Sequence, residues 1–445
     1  MERGEETDRR DDHASRRRLL GVLAGGAGTA LAGCVDTLTP DDGDGGDGSD
    51  GSNDGMQTQA PGSGGSLDRT VRLGILMAQS GDLGSIVRPV VNAAALPVSQ
   101  VNEADVPLTV DRRIEDTGSE AGTGVEVANQ MVSDGIPMIC GPAGSGVNIQ
   151  VAKQVLIPNG VVGCSPASTS PTVTALNDDD LVYRTALSDA FQGRVLARVA
   201  AERIEASSAV TMHIDNNYGL ELSTSFTETF EQEYDGTVAT QVPFPSGADA
   251  YTNELEQAVG SNDPDVTVII GYPDSGEVLL QNYYDNYSGD LPLLLTDGLQ
   301  DPELAQSVDA TLDNVSGTAP STSGPGRDAF RSLYQSRYGI EPGVFTPNGY
   351  DAAAVLLLAN VAAGSNDGTE IATSMNEVAN PDGMTVTPDN LVEGVEAVAD
   401  GDSVQYEGAS SPVDFDSNGD LSAATFEYWQ FQGESIETVD TVTLS

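Results

Sequence analysis

The side chains of this chain that could hold a small molecule are hydroxyls, tyrosines and one carboxylate, each placed after a short β-rich run. Ser145 and Thr169 can donate hydrogen bonds to a carboxylate, and backbone N–H groups at a helix start can complete its binding. A buried ammonium group needs an anionic partner, which Asp297 offers. Tyr218 and Tyr272 can close over the rest of a ligand with an apolar ring face and one hydroxyl. These residue types suit a free amino acid.

Each of these residues also has an ordinary structural explanation. Ser145 could cap the helix that begins near it, and Thr169 could be a turn hydroxyl between two prolines. Asp297 could form an Asx turn with the glycine that follows it. Tyr218 could pack on the surface of its lobe, and Tyr272, which precedes a proline, could anchor a loop. The sequence leaves both explanations open for all five residues.

Alternating β-rich and helical segments are the elements that would position these residues. Such alternation over a long chain predicts parallel sheets with helices on both faces. Ligands bind beyond the carboxyl ends of the strands in such sheets, where the five residues stand. Pro89 and Pro97 interrupt the helix after Asp82, and an aromatic-rich segment at 415–432 predicts a hairpin. The predicted strands are Thr70–Met77, Leu108–Ile114, Pro137–Cys140, Val161–Cys164, Ala209–Ile214, Thr237–Val242, Val266–Ile270 and Leu291–Leu295.

Length and charge narrow the class of protein. The 445 residues exceed what one compact core usually holds, so two lobes are expected. Asp and Glu number 69 against 19 Lys and Arg, a formal net charge of −50. This charge argues against nucleic acid as a partner, because neutralising phosphates needs a basic surface. The composition resembles that of proteins from salt-loving archaea. In such proteins the acidic side chains repel one another, and concentrated salt screens this repulsion. The alternative is an acidic protein in ordinary salt.

The sequence offers little support for catalysis or metal binding. Its two histidines, His13 near the N-terminus and His213 on a predicted strand, do not make a metal cluster. There is neither a P-loop nor a GxSxG nucleophile motif. Asp414–Gly419 begins like an EF-hand loop, but Thr425 stands where the bidentate acid belongs, so a hairpin turn is expected. We therefore predict a protein that is not an enzyme and that has no cofactor and no metal.

An export signal stands at the N-terminus. Ser15–Leu20 contains a twin-arginine pair, and the uncharged run that follows is too short and too glycine-rich for a spanning helix. The run ends in Leu31–Cys34, which matches a lipobox with Cys34 as the acyl acceptor. We expect residues 1–34 to be a twin-arginine lipoprotein signal peptide and residues 35–66 to be a disordered acidic Gly/Asp/Ser tether.

The other two cysteines, Cys140 and Cys164, end predicted strands and have neither CxxC nor metal-ligand spacing. Buried free thiols are the favoured interpretation. A disulfide stays open as an alternative, because neighbouring strand ends could bring the two residues into range.

Five segments, taken in order, resemble the branched-chain amino-acid-binding family of ABC-transporter receptors, which have the type I periplasmic-binding fold. The resemblance begins near Thr70 and implies two Rossmann-like α/β lobes with parallel central sheets, joined by a three-crossover hinge. It assigns 67–187 and 319–412 to lobe one, and 188–318 and 413–445 to lobe two. The segments are Val132–Ile136 leading to Cys140–Pro142, Ser165–Pro171, Tyr183–Thr185, Asp215–Gly219 and Asn348–Ala352.

The resemblance also gives roles to the candidate site residues. In the family, the residues at Ser145 and Thr169 hold the ligand carboxylate, and the backbone of Ala167 or Ser168 adds contacts. The acid for the ligand ammonium falls at Asp297, one methylene shorter than the glutamate common there. The lobe-two residues that close on the ligand match Tyr218 and Tyr272.

The function implied is that of an extracellular receptor, lipid-anchored to the membrane, for an ABC importer. It would bind an amino acid, branched-chain or otherwise apolar, between the lobes and deliver it to the permease, most simply as a monomer. The family's first-loop aromatic is absent, since Ser85 and Ile86 stand near its place, which leaves side-chain specificity open. Alternatives are a receptor for an amide, urea or another small polar solute, and a ligand sensor for a signalling partner.

Overall fold

The structure is a computed structural model that describes residues 67–380 and 382–444. The expected signal peptide, its lipidation site Cys34 and the expected tether lie outside these residues. None of the helices in the described ranges has the length and apolar character needed to cross a membrane.

The first sheet contains five parallel strands. They are β1 Arg69–Met77, β2 Leu108–Asp116, β3 Met138–Cys140, β4 Val162–Ser165 and β5 Val182–Arg184. Their spatial order is β2-β1-β3-β4-β5. The last five residues of β1 are all buried, as expected for a parallel strand that helices cover on both faces.

The second sheet contains seven strands. Five of them are parallel: β6 Ser208–Ile214, β7 Thr237–Phe244, β8 Val266–Ile270, β9 Leu293–Leu295 and β10 Val315–Pro320. The other two form the hairpin β13 Ala424–Gln432 and β14 Ser435–Leu444. Between β10 and β13 the chain forms a separate pair of parallel strands, β11 Met384–Val386 and β12 Val404–Tyr406. The spatial order of the sheet is β14-β13-β10-β9-β8-β6-β7, and β13 runs antiparallel to β10. The hairpin therefore extends the sheet from the β10 side, and it spans 424–444 rather than the predicted 415–432.

Helices cover both sheets. In chain order they are α1 Gly84–Ala94, α2 Leu96–Glu103, α3 Ala121–Ser133, α4 Ser145–Val151, α5 Ile157–Asn159, α6 Pro171–Thr174, α7 Asp189–Arg198, α8 Asn217–Glu233, α9 Thr252–Leu255, α10 Pro273–Asn286, α11 Leu304–Ser307, α12 Arg327–Tyr338, α13 Thr346–Ala363, α14 Gly368–Ala379 and α15 Leu391–Ala399. Pro89 lies inside α1, so the predicted interruption there is wrong. The break falls at Ala95, and Pro97 occupies the first turn of α2, where its missing N–H is tolerated.

Three connections carry the chain between two lobes, one built on each sheet. The chain passes from β5 to β6, returns from β10 to α12, and crosses again from β12 to β13. The second crossing leads back to lobe one, because α13 packs against α1, β3 and β4. Every residue of α13 from 346 to 361 is buried, which accounts for its apolar character on all sides. The predicted two-lobed α/β fold is confirmed.

Two residues that follow the predicted boundary at 413 contact lobe one. Phe415 N–H donates to Asn380 Oδ1 at 3.0 Å, and Arg184 of β5 donates to Asp420 Oδ2 at 2.9 Å. Residues 415 and 420, which the sequence places in lobe two, therefore contact lobe one. The domain boundaries stay predictions.

The cysteines and the EF-hand-like loop have structural roles. Cys140 and Cys164 face each other on β3 and β4, and both are buried free thiols. In the loop, Asp416 Oδ1 accepts hydrogen bonds from the N–H groups of Asn418 (2.7 Å) and Asp420 (3.1 Å), which closes a turn. No cluster of potential ligands in the described ranges could hold a metal ion.

Candidate functional site

A cavity lies between the lobes. The loops after the carboxyl ends of strands in both sheets form its wall, the position expected for a ligand site in parallel α/β sheets. Six of the seven candidate residues line it, and only Ser168 does not. The lining residues are Leu83, Ile86, Val87, Ala143, Gly144, Ser145, Ala167, Thr169, Tyr218, Tyr272, Asp297, Gly298 and Phe345.

Lobe one contributes hydroxyl groups to the cavity. Ser145 is the first residue of α4, and its Oγ accepts a hydrogen bond from Ser170 N–H at 3.3 Å, so the hydroxyl proton can still be donated. Thr169 is buried in the loop after β4. Both hydroxyls lie at the cavity wall, where they can meet a ligand carboxylate.

Ser165 fixes the loop that carries Thr169. Its Oγ accepts hydrogen bonds from Ala167 N–H at 3.4 Å and Ser168 N–H at 3.0 Å. These two N–H groups, candidates for backbone contacts with a ligand, are thus already engaged within the loop. Ser168 lies behind the cavity wall, and its carbonyl oxygen accepts from Arg184 at 3.1 Å.

Lobe two contributes a pair of stacked tyrosines. The rings of Tyr218 and Tyr272 lie 5.5 Å apart at an interplanar angle of 11°. Tyr218 donates to Asp297 Oδ1 at 3.2 Å, so it accepts from Thr296 Oγ1, which lies 2.8 Å away. Asn216 Nδ2 donates to the Tyr272 hydroxyl at 3.2 Å. Both hydroxyls are therefore held in place, and both rings lie at the cavity wall, where they can contact an apolar group.

Asp297 brings a buried carboxylate to the cavity. Burial raises its pKa to about 6, although hydrogen bonds from Gln192 and Tyr218 oppose the rise. The lining residues within the described ranges include no Lys, Arg or His that could pair with it. An ammonium group in the cavity would supply the missing opposite charge.

A second buried carboxylate, Asp189, was not predicted from the sequence. It begins α7, directly after the capping residue Ser188, and its N–H donates to Thr169 O at 2.8 Å. Its side chain is fully buried, and neither carboxylate oxygen makes a hydrogen bond of good geometry, although the Thr169 hydroxyl is close enough to lower its pKa. Burial raises the pKa of Asp189 well above its usual value, and the nearby Asp297 raises it further. The sequence signal that could have identified Asp189 is its place at the start of a helix beside the first crossover.

The remaining wall is apolar. Leu83 lies in the loop after β1, and Ile86 and Val87 lie in α1. Phe345 directly precedes α13. Phe345 has a φ of 60°, a conformation that aromatic residues rarely adopt. Sequence reasoning missed Phe345, because a left-handed backbone at a non-glycine residue leaves no mark in the sequence.

The chain belongs to the periplasmic binding protein family, whose sequence model matches residues 70–405. The chemotactic signal transduction system substrate-binding protein BasB of Halobacterium salinarum is 25% identical over 309 residues, which cover 67% of this chain and 71% of that protein. The Leu/Ile/Val-binding protein BraC3 of Rhizobium johnstonii is 27% identical over 312 residues, which cover 69% of this chain and 83% of that protein.

A solved structure shares the fold. The branched-chain amino acid transporter substrate binding protein LivJ of Streptococcus pneumoniae, in complex with isoleucine, matches with a TM-score of 0.69 at 20% identity. The match covers 84% of this chain and 100% of that chain. The predicted resemblance is thereby confirmed: the chain belongs to the periplasmic binding protein family, has the type I periplasmic-binding fold, and is similar to proteins named Leu/Ile/Val-binding proteins.

Proposed function

We propose that the protein captures a free amino acid with an apolar side chain in the cavity between its lobes. The observation that carries this proposal is the pair of buried carboxylates, Asp189 and Asp297, beside a cavity whose described lining has no cationic side chain. Buried acids in such surroundings favour a ligand that brings its own positive charge.

The three parts of an amino acid fit three parts of the wall. Ser145 and Thr169 hold the ligand carboxylate through their hydroxyls. Asp297 receives the ammonium group, with Asp189 behind it. The ligand side chain lies against the apolar wall, which includes Leu83, Ile86, Phe345 and the faces of the two tyrosines. Relatives named Leu/Ile/Val-binding proteins and the isoleucine complex of LivJ support this choice of ligand.

We place this activity outside the cell. The receptor is tethered through lipid on Cys34 after twin-arginine export, acts as a monomer, and delivers its ligand to an ABC permease once the lobes have closed. A second role is favoured by one specific observation, the similarity to BasB, which is named as part of a chemotactic signal transduction system. In that case the closed form would dock on a signalling partner instead.

A thermal melt of the protein in multimolar NaCl tests the ligand class. Ligand at a hundred times its dissociation constant adds about 2.7 kcal/mol of stability. Leucine, isoleucine and valine are expected to raise the melting temperature. Leucinamide, which lacks the carboxylate, and a leucine analogue without the amino group are expected to raise it much less. A rise with urea or neutral amides alone would contradict the proposal and leave the family membership untouched.

A further inference from the structure

One carboxylate of lobe one reaches across the cleft into lobe two. Asp82 follows β1 and is almost fully buried. Its carboxylate accepts hydrogen bonds from Ser246 Oγ at 2.8 Å and from Ser275 Oγ at 2.9 Å, and both donors belong to lobe two. Ser275 lies in the first turn of α10 and is itself buried. Asp82 is not among the residues that line the cavity.

Glu221 makes the reverse connection from lobe two to lobe one. It lies on α8, and its carboxylate accepts hydrogen bonds from Thr172 Oγ1 at 2.6 Å, from Thr172 N–H at 3.1 Å and from Ser170 Oγ. Ser170 N–H in turn donates to Ser145 Oγ at 3.3 Å. Glu221 is therefore linked through one residue to a hydroxyl of the cavity wall, although it does not line the cavity itself.

We propose that Asp82 and Glu221 are two reciprocal latches that hold the cleft closed. Each latch consists of a carboxylate of one lobe and hydroxyl donors of the other, so a hinge rotation that opens the cleft must break both. Water replaces these partners in the open form, which limits the stabilisation that each latch gives. A ligand that binds the closed form is then held more weakly when the closed population falls.

The variants Asp82→Asn and Glu221→Gln remove the charge of each latch while keeping its shape. Leucine binding, which also tests the proposed function, is the first quantity to be measured. Each variant is expected to weaken leucine binding about tenfold, mainly through faster dissociation. Asp111→Asn in lobe one and Glu228→Gln on α8 replace exposed acids and are the matched controls, with no expected change in either constant.

Variants of the donors test the same bonds from the other side. Ser275→Ala is expected to weaken binding in the wild-type background and to add little in the Asp82→Asn background, because the bond is already lost. Thr172→Val is likewise expected to weaken binding in the wild-type background and to add little in the Glu221→Gln background. If Glu221→Gln fails to fold, Thr172→Val still tests that latch. A merely structural role would lower the melting temperature of the ligand-free protein and leave leucine dissociation unchanged. Unchanged leucine affinity and dissociation in both acid variants would overturn the latches.

Amide hydrogen exchange separates a failure of the latches from a failure of the ligand assignment. If wild type does not bind leucine, exchange of the Thr172 N–H is compared between ligand-free wild type and Glu221→Gln. Faster exchange in the variant supports the latch, since this N–H donates to Glu221 as well as to Ser170 Oγ of its own lobe. Equal exchange overturns it. Absence of leucine binding by itself contradicts only the proposed amino-acid ligand.

Discussion

Asp297 is the residue whose charge matters most for the proposed ligand. Asp297→Asn keeps the size of the side chain and removes the opposite charge for a buried ammonium group. We expect leucine affinity to fall about 10- to 100-fold, because a hydrogen bond to a charged group contributes about 1.5–3 kcal/mol. Titration calorimetry measures the change, with the exposed Asp290→Asn as control. Equal affinities for Asp297→Asn and wild type would rule out the assigned role.

The raised pKa of Asp297 predicts a pH dependence of binding. An ammonium partner lowers this pKa, so below pH 6 binding must release the proton that Asp297 carries in the ligand-free protein. Leucine affinity should fall about tenfold per unit as pH drops below about 6, and should level off above it. For the ligand-free fold the sign is opposite: an acid with a raised pKa stabilises the fold at low pH, and this contribution is lost as pH rises through about 6.

Calorimetry between pH 5 and pH 8 in buffers of different ionisation enthalpy checks both the slope and the proton released. Asp297→Asn should remove the change near pH 6. The same slope in that variant would assign the titration to another group, of which Asp189 is the nearest candidate.

At this scale, local motifs allowed the hydroxyls and tyrosines of the cavity to be predicted, because those residues follow strands directly. Asp189 was missed because an acid in the first turn of a helix is common for reasons of helix electrostatics alone. Asp82 and Glu221 were missed because their partners lie in the other lobe, far away in sequence.

At the scale of elements, Gly219 lets α8 begin close against β6. A Cβ atom there would lie 2.1 Å from the carbonyl oxygen of Ile214. We expect Gly219→Ala to push back the start of α8, which carries Tyr218, and to lower the free energy of unfolding by about 1–3 kcal/mol. Leucine binding should weaken as well. Denaturant melts measure the loss.

Gly122→Ala in α3 is the matched control, since its Cβ would meet nothing within 4 Å. It should stabilise the protein by about 0.5–1 kcal/mol, as alanine does within helices. A Gly219→Ala protein as stable as wild type would contradict the packing argument.

Strand–helix alternation was enough to predict eight strands, which the structure contains with small shifts of their ends. The strands β5, β10, β11, β12 and β14 were not predicted, and two of these misses have a clear physical reason. β5 is only three residues long, too short to show a pattern. β10 contains Gly317, whose small size admits the ring of Trp429, and it ends in Pro320, so its composition resembles that of a loop.

At the scale of the whole molecule, the net charge of −50 should make stability depend on salt. The screening length falls from about 10 Å at 0.1 M to about 3 Å at 1 M salt. We expect the melting temperature to rise steeply over this range of NaCl as repulsion between surface carboxylates is screened. Sucrose at matched osmolality, which screens no charge, is the control. A melting temperature that does not change between 0.1 M and 1 M NaCl would refute this expectation.

The hairpin of β13 and β14 has a consequence for how the protein is made. Lobe two begins at β6, yet its sheet receives β13 only after the chain has built α12–α15 of lobe one. During synthesis β10 must wait for more than a hundred residues before its antiparallel neighbour emerges from the ribosome. The sheet of lobe two therefore cannot be completed until α12–α15 of lobe one have been synthesised, and this completion precedes any capture of ligand.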